Sequence, residues 1–176
     1  MQLEIAPLDF AVRPHHIFSK QSMLLTAGDY SAGNYNAMTV GDGSFGIMWG
    51  KPFALVIVRP SRYTFEFMEK YPSFTLCAFG PVHASALRLL GSKSGRDGDK
   101  ITESGLTVTA STVVAAPNFR EAELVVECRK TYWDDLDPNH ILTPKRELES
   151  YYPSGNFHRI YFGEVLAVHG TATYSA

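Results

Sequence analysis

Turn-forming residues break this chain at intervals too short for long helices, and that spacing constrains its fold more than any other feature. Ser22–Ala27 (SMLLTA) runs into Gly28-Asp29, and Asn36–Val40 (NAMTV) into Gly41, Asp42 and Gly43. Phe45–Trp49 (FGIMW) meets Gly50-Lys51-Pro52, and Ala54–Arg59 (ALVIVR) stops at Pro60. Each is short and apolar, and the last is rich in β-branched side chains, as strands are. Phe74–Phe79 (FTLCAF), Glu121–Tyr132 and His158–His169 read as further strands. Tyr63–Tyr71 and Val82–Leu90 have the spacing of short helices, and Thr64 is placed to cap the first of them. Gly91–Lys100 reads as a polar loop or a helix start.

Roughly six or more strands with two or three short helices make a mainly β, barrel-like fold the natural reading. The long strand–helix alternation of a doubly wound sheet is missing. No GxGxxG opens a helix after a strand, and no P-loop occurs.

The chain's 176 residues fit one domain, taken as 1–176. Its 45% hydrophobic and 19% charged residues are ordinary for a globular protein. With a formal net charge of −2, no general attraction to nucleic acid or an acidic membrane is expected, so any anion site must be local. There is no leader-like start and no bilayer-spanning apolar run, which points to a cytoplasmic protein. Cys77 and Cys128 stand apart in apolar runs and read as buried thiols in a reducing compartment. The histidines are scattered, and no metal site is expected.

Two segments carry chemistry. Arg59-Pro-Ser61-Arg62-Tyr63-Thr64 sets guanidiniums and hydroxyls between a strand and a helix start, where unpaired N–H groups and the helix dipole favour phosphate. Ser92-Lys93-Ser94-Gly95-Arg-Asp97, with Lys100 beyond, interleaves hydroxyls, glycine and cations as anion-wrapping loops do. Both also suit solvated turns. His158 precedes the last strand and could face a pocket and handle protons near neutral pH, or sit on the surface. No GxSxG elbow is present, and Asp134-Asp135 reads as an acidic turn.

Taken in order, Asn36-Ala-Met-Thr-Val-Gly, Gly43-Ser-Phe-Gly-Ile-Met-Trp-Gly-Lys-Pro, Val58-Arg-Pro-Ser-Arg-Tyr-Thr, Leu90-Gly-Ser-Lys-Ser-Gly-Arg-Asp-Gly-Asp-Lys-Ile and His158-Arg-Ile-Tyr-Phe-Gly-Glu-Val resemble the flavin reductase-like family of FMN-binding split β-barrels, most of all its flavoredoxin-like branch. The resemblance implies a homodimer with FMN near the subunit interface. It implies a flavin ring along Asn36, Ala37, Met38, Thr39 and Val40, with Trp49 also among the cofactor-binding residues. It implies that Arg59, Ser61, Arg62, Tyr63 and Thr64, with Ser92, Lys93, Ser94, Gly95 and Asp97, hold the ribityl chain and phosphate. His158 would face the open side of the ring, as the candidate catalytic residue. The implied activity is hydride transfer from NAD(P)H to flavin, or electron carriage with a redox protein as donor. Asp42 departs from the pattern, standing where this branch often has an aromatic residue.

Overall fold

The structure is a computed structural model and describes residues 2–176. In chain order its elements are β1 (Leu3–Ile5), α1 (Pro14–His16, running into a π turn at Ile17–Gln21), β2 (Met23–Asp29), β3 (Asn34–Val40), β4 (Gly43–Met48), β5 (Lys51–Val58) and α2 (Tyr63–Lys70). They continue with β6 (Ser73–Ala78), α3 (Ala84–Ser92), α4 (Lys100–Ser104), β7 (Val108–Thr109), β8 (Asn118–Phe119), β9 (Leu124–Asp135), α5 (Lys145–Tyr151) and β10 (Arg159–Gly170). The expected strands and both expected helices are present, with ends shifted by a few residues. Sequence reading did not anticipate β1, α1, the short β7–β8 ladder or α5.

The main sheet has the order β3-β2-β6-β9-β10-β5-β4, with β1 added along β10, and its mapped pairings are antiparallel. It curls around one apolar interior, but its end strands β3 and β4 do not pair, so this is a split β-barrel. Inside lie Met23, Leu25, Ala27, Val56, Val58, Phe74, Leu76, Val126 and Tyr161. The alternate residues of β2, β6 and β9 (Leu24, Cys77 and Val125) face outward beneath α3 and α4, against Leu87, Leu90 and Ile101. Those strands are covered on both faces, which explains their nearly unbroken apolar sequence. Burial pushes the Cys77 thiol up to about 12 and the Cys128 thiol up as well, so neither offers a thiolate near neutral pH.

Phe74 fills the barrel centre only because β10 carries Gly163 opposite it. A Cβ on Gly163 would lie 2.6 Å from two Phe74 ring atoms and 2.8 Å from the Cβ of Cys128. The Gly163→Ala variant is expected to lose ~1–3 kcal/mol of stability, the usual range for overpacking, read as a lower urea midpoint at unchanged slope.

Candidate functional site

The barrel opens where β3 passes to β4 through Gly41-Asp42, and a cleft of about 420 Å³ occupies that opening. Met38, Thr39, Val40, Gly41 and Asp42 form one wall. Ile57, Arg59, Arg62, Tyr151, Tyr152 and His158 form the rest. The β5–β10 register explains much of this. Val58 pairs with Arg159, so the next step out sets Arg59 beside His158 at the sheet's end.

A smaller pocket of about 80 Å³ adjoins the cleft and shares Met38 and Arg62 with it. Its walls are Asn36, Ser61, Arg62, Tyr63 and Thr64 on one side and Ser92, Lys93, Ser94, Gly95 and Lys100 on the other. The two polar segments, some thirty residues apart in sequence, therefore meet across one pocket. Asn36 joins them to the sheet: its side-chain amide donates to the Thr64 hydroxyl at 2.7 Å. Gly95 packs so tightly on that amide that a Cβ would fall 2.4 Å from the Asn36 Oδ1. Arg96 straps the two segments together. It donates to the Ser61 carbonyl at 3.2 Å, pairs with Glu66 and lies over the Tyr63 ring.

The pocket's charge is not balanced from within. Lys93 is paired with Glu103 at 2.6 Å. Lys100 is only 4% exposed, and its ammonium has one partner among the described residues, the Leu90 carbonyl at 2.8 Å. Burial, and secondarily the nearby Arg62 guanidinium, push Lys100 down to about 8. Arg62 itself has no side-chain hydrogen bond or ion pair among the described residues. Two cations thus converge without a counter-ion, beside the N-terminal turn of α2.

In the larger cleft, the Arg59 Nε donates to the His158 Nε2 at 3.3 Å, and its Nη2 donates to the Tyr151 carbonyl at 2.9 Å. The His158 Nδ1 meets the Tyr152 hydroxyl at 2.6 Å. Burial and the Arg59 charge push His158 down to about 4, against a weaker upward pull from Asp42. His158 is therefore neutral at physiological pH. It stands in the cleft as a weaker base than an ordinary imidazole.

The structure brings most of the expected residues together, with specific differences. Trp49 is not part of the cleft: it is 73% exposed in the tight turn between β4 and β5, at a φ of 54°. Its wide separation from the cleft follows from hairpin geometry, which carries the turn to the far end of both strands. Asp97 is exposed and lines neither pocket. Ala37 turns its methyl into the outer core beneath α3 and lines neither pocket. Thr64 does not cap α2. The helix begins at Tyr63 after Arg62, and the Thr64 hydroxyl is engaged by Asn36. Asp42 does face the cleft. Lys100 belongs to the site, and its place just beyond the Ser92–Asp97 segment was the available signal. Tyr151 and Tyr152 carried no signal, because α5 alone brings them there. A larger groove of about 680 Å³ between α1 and α3 contains none of the expected residues.

A split β-barrel with a cation-rich cleft at its opening defines the class. The chain belongs to the flavin reductase like domain family, whose sequence profile matches residues 15–174. No curated protein matches the sequence. Among solved structures it is similar to an FMN-binding domain of a flavin reductases-like enzyme from Shewanella baltica, with 14% identity over 97% of this chain and 77% of that one at a TM-score of 0.69. It is similar to the flavoredoxin of Methanosarcina acetivorans, with 24% identity, 89% and 71% coverage and a TM-score of 0.65. It is also similar to an FMN-binding protein from Thermus thermophilus solved with bound 1-cyclohex-2-enone, with 18% identity, 88% and 72% coverage and a TM-score of 0.65.

The His158 environment gives a direct test. By NMR the imidazole should titrate near 4, and Arg59→Met should raise that value by removing a neighbouring cation. Because the folded value lies below the ordinary 6.5, the unfolded chain takes up this proton first. Stability contributed here is lost as pH falls from about 6.5 towards 4. A wild-type titration near 6.5 would contradict the buried, cation-flanked setting.

Proposed function

We propose that this chain binds FMN across the two joined pockets and acts as an NAD(P)H-dependent flavin reductase. The observation that carries the reading is the pair of uncompensated cations, Arg62 and Lys100, converging on a hydroxyl-lined pocket next to a ring-sized cleft. A phosphate supplies what Lys100 lacks. Burial disfavours its charged form, and an anion beside it restores that form. Arginine adds a planar fork suited to phosphate oxygens. Met38 stands at the join, where the chain between phosphate and ring would pass. Bound FMN would supply the hydride and electron chemistry, while the protein supplies position and electrostatics. Asn36 and Thr64 hold the pocket's shape, and Arg59 and His158 close one side of the ring cleft.

Mixing the FMN-loaded protein with NADH or NADPH in a stopped-flow instrument tests the activity. Bleaching of the flavin band is expected, and no bleaching by either nucleotide would remove the reductase assignment. A flavoredoxin-like electron carrier, served by a redox protein, is the second reading. The likeness to the flavoredoxin of Methanosarcina acetivorans supports it. Such a carrier would be reduced quickly by a ferredoxin-type donor and not by nicotinamide.

Cofactor affinity tests the site separately. Arg62→Ala should weaken FMN binding by ~1.5–3 kcal/mol, about ten- to a hundredfold, as a charge-assisted hydrogen bond is lost. In the wild type, affinity should decline as pH rises above the value near 8 where free Lys100 deprotonates. Lys100→Met should flatten that decline. Unchanged affinity in Arg62→Ala would take Arg62 out of the site.

We also propose a homodimer. The outer face of β5, β10 and β9 carries Leu55, Ile57, Ile160, Phe162 and Tyr132, and among the described residues no helix lies over it. Phe53, Phe162 and Tyr132 form a continuous aromatic row, with ring centroids 5.2 and 5.9 Å apart. An apolar sheet face of this kind suits a second copy, and Ile57 continues it into the ring cleft. Light scattering should report a dimer for the wild type and a monomer for Phe162→Glu. A monomeric wild type at micromolar concentration would end this part of the proposal.

A further inference from the structure

We propose that Tyr152 is a ligand-binding residue of the ring cleft: His158 orients its hydroxyl proton into the cleft, and the cleft thereby selects small ring compounds that carry an acceptor oxygen. This rests on the FMN reading for what fills the rest of the cleft.

The argument is one of donors and acceptors. The Arg59 Nε always carries its proton and donates to the His158 Nε2. That nitrogen must therefore present a lone pair. A neutral imidazole has one N–H, which then sits on Nδ1 and donates to the Tyr152 oxygen at 2.6 Å. The hydroxyl keeps its own proton, since burial raises the Tyr152 pKa. That proton cannot point back at His158, and it has no other acceptor among the described residues.

The ring cannot easily swing away to find one. It packs on Phe157 at 4.6 Å between centroids, and the Arg59 guanidinium lies 5.0 Å from its centroid. Tyr152 itself lines the cleft. Arg59 has its Nε on His158 and its Nη2 on the Tyr151 carbonyl, which leaves Nη1 as a second unengaged donor among the described residues. Two donors on one wall suit an oxygen with partial or full negative charge. A cleft of about 420 Å³ that also admits a flavin ring has room for one further small ring.

Two measurements test this. In the cofactor-free chain at pH 7, long-range ¹⁵N NMR should show His158 as the Nδ1–H tautomer, and the Nε2–H tautomer would overturn the proposal. In the FMN-loaded protein, benzaldehyde and styrene serve as probes of matched size with and without an acceptor oxygen, followed through the flavin absorbance. Wild type should bind benzaldehyde more tightly. Tyr152→Phe, which keeps the packed ring, should weaken benzaldehyde about tenfold, the loss of one hydrogen bond, with styrene affinity unchanged. Equal effects on both probes, or none, would overturn the proposal. A chain that takes up no FMN fails the functional reading instead, and the tautomer still decides where the Tyr152 proton points.

Discussion

Strands β3 and β4 follow one another in sequence with only Gly41-Asp42 between them, yet they do not pair. The rest of the site depends on that unmade seam. Adjacent antiparallel strands with a two-residue link ordinarily form a hairpin. Here they become opposite ends of a seven-strand path, and the chain bridges a gap instead of closing a ladder. A closed barrel of this size either fills its interior with side chains or holds one small ligand there. The interior is filled here too, by Phe74, Tyr161 and their neighbours. The cleft exists only at the seam, where the end of β3 faces Arg59 and His158.

Electrostatics then gives the seam its chemistry. The chain as a whole is slightly acidic, but its cations are unevenly matched. Lys93 and Arg96 have carboxylates of their own, at Glu103 and Glu66. Arg159 is held by Asp135 and Glu69 on the far side of β10. Arg62 and Lys100 lack such partners, and both line the small pocket beside the paired Lys93. Pairing therefore separates cations that are already neutralised from those left with charge to offer. The same division holds in the larger cleft, where Arg59 fixes His158 and Tyr151 before any ligand is considered.

Much of this was legible in the sequence because it is local. Strand lengths follow from the turn residues, and the anion-suited segments announce themselves by composition. The meeting of Arg59–Thr64 with Ser92–Gly95 is different: it needs Asn36, on a third element, to join them, and no local pattern encodes that contact. Trp49 is the opposite case: its motif fits the family pattern, but the hairpin turn carries it to the far end of both strands, and no residue of 43–52 lines the cleft. Thr64 had the right residue type for a cap, but a tertiary hydrogen bond claimed its hydroxyl. The acidity of His158 was out of reach, because it depends on burial and on a cation 99 positions away in the chain.

Lys100 carries a consequence beyond the site. A buried ammonium held by one carbonyl is a debt the ligand-free fold must carry, and any anion that settles there relieves it. The folded population of this protein is therefore tied to the supply of what it binds. Where that supply is short, the chain spends more time open to proteases, and its lifetime becomes a gauge of its own ligand.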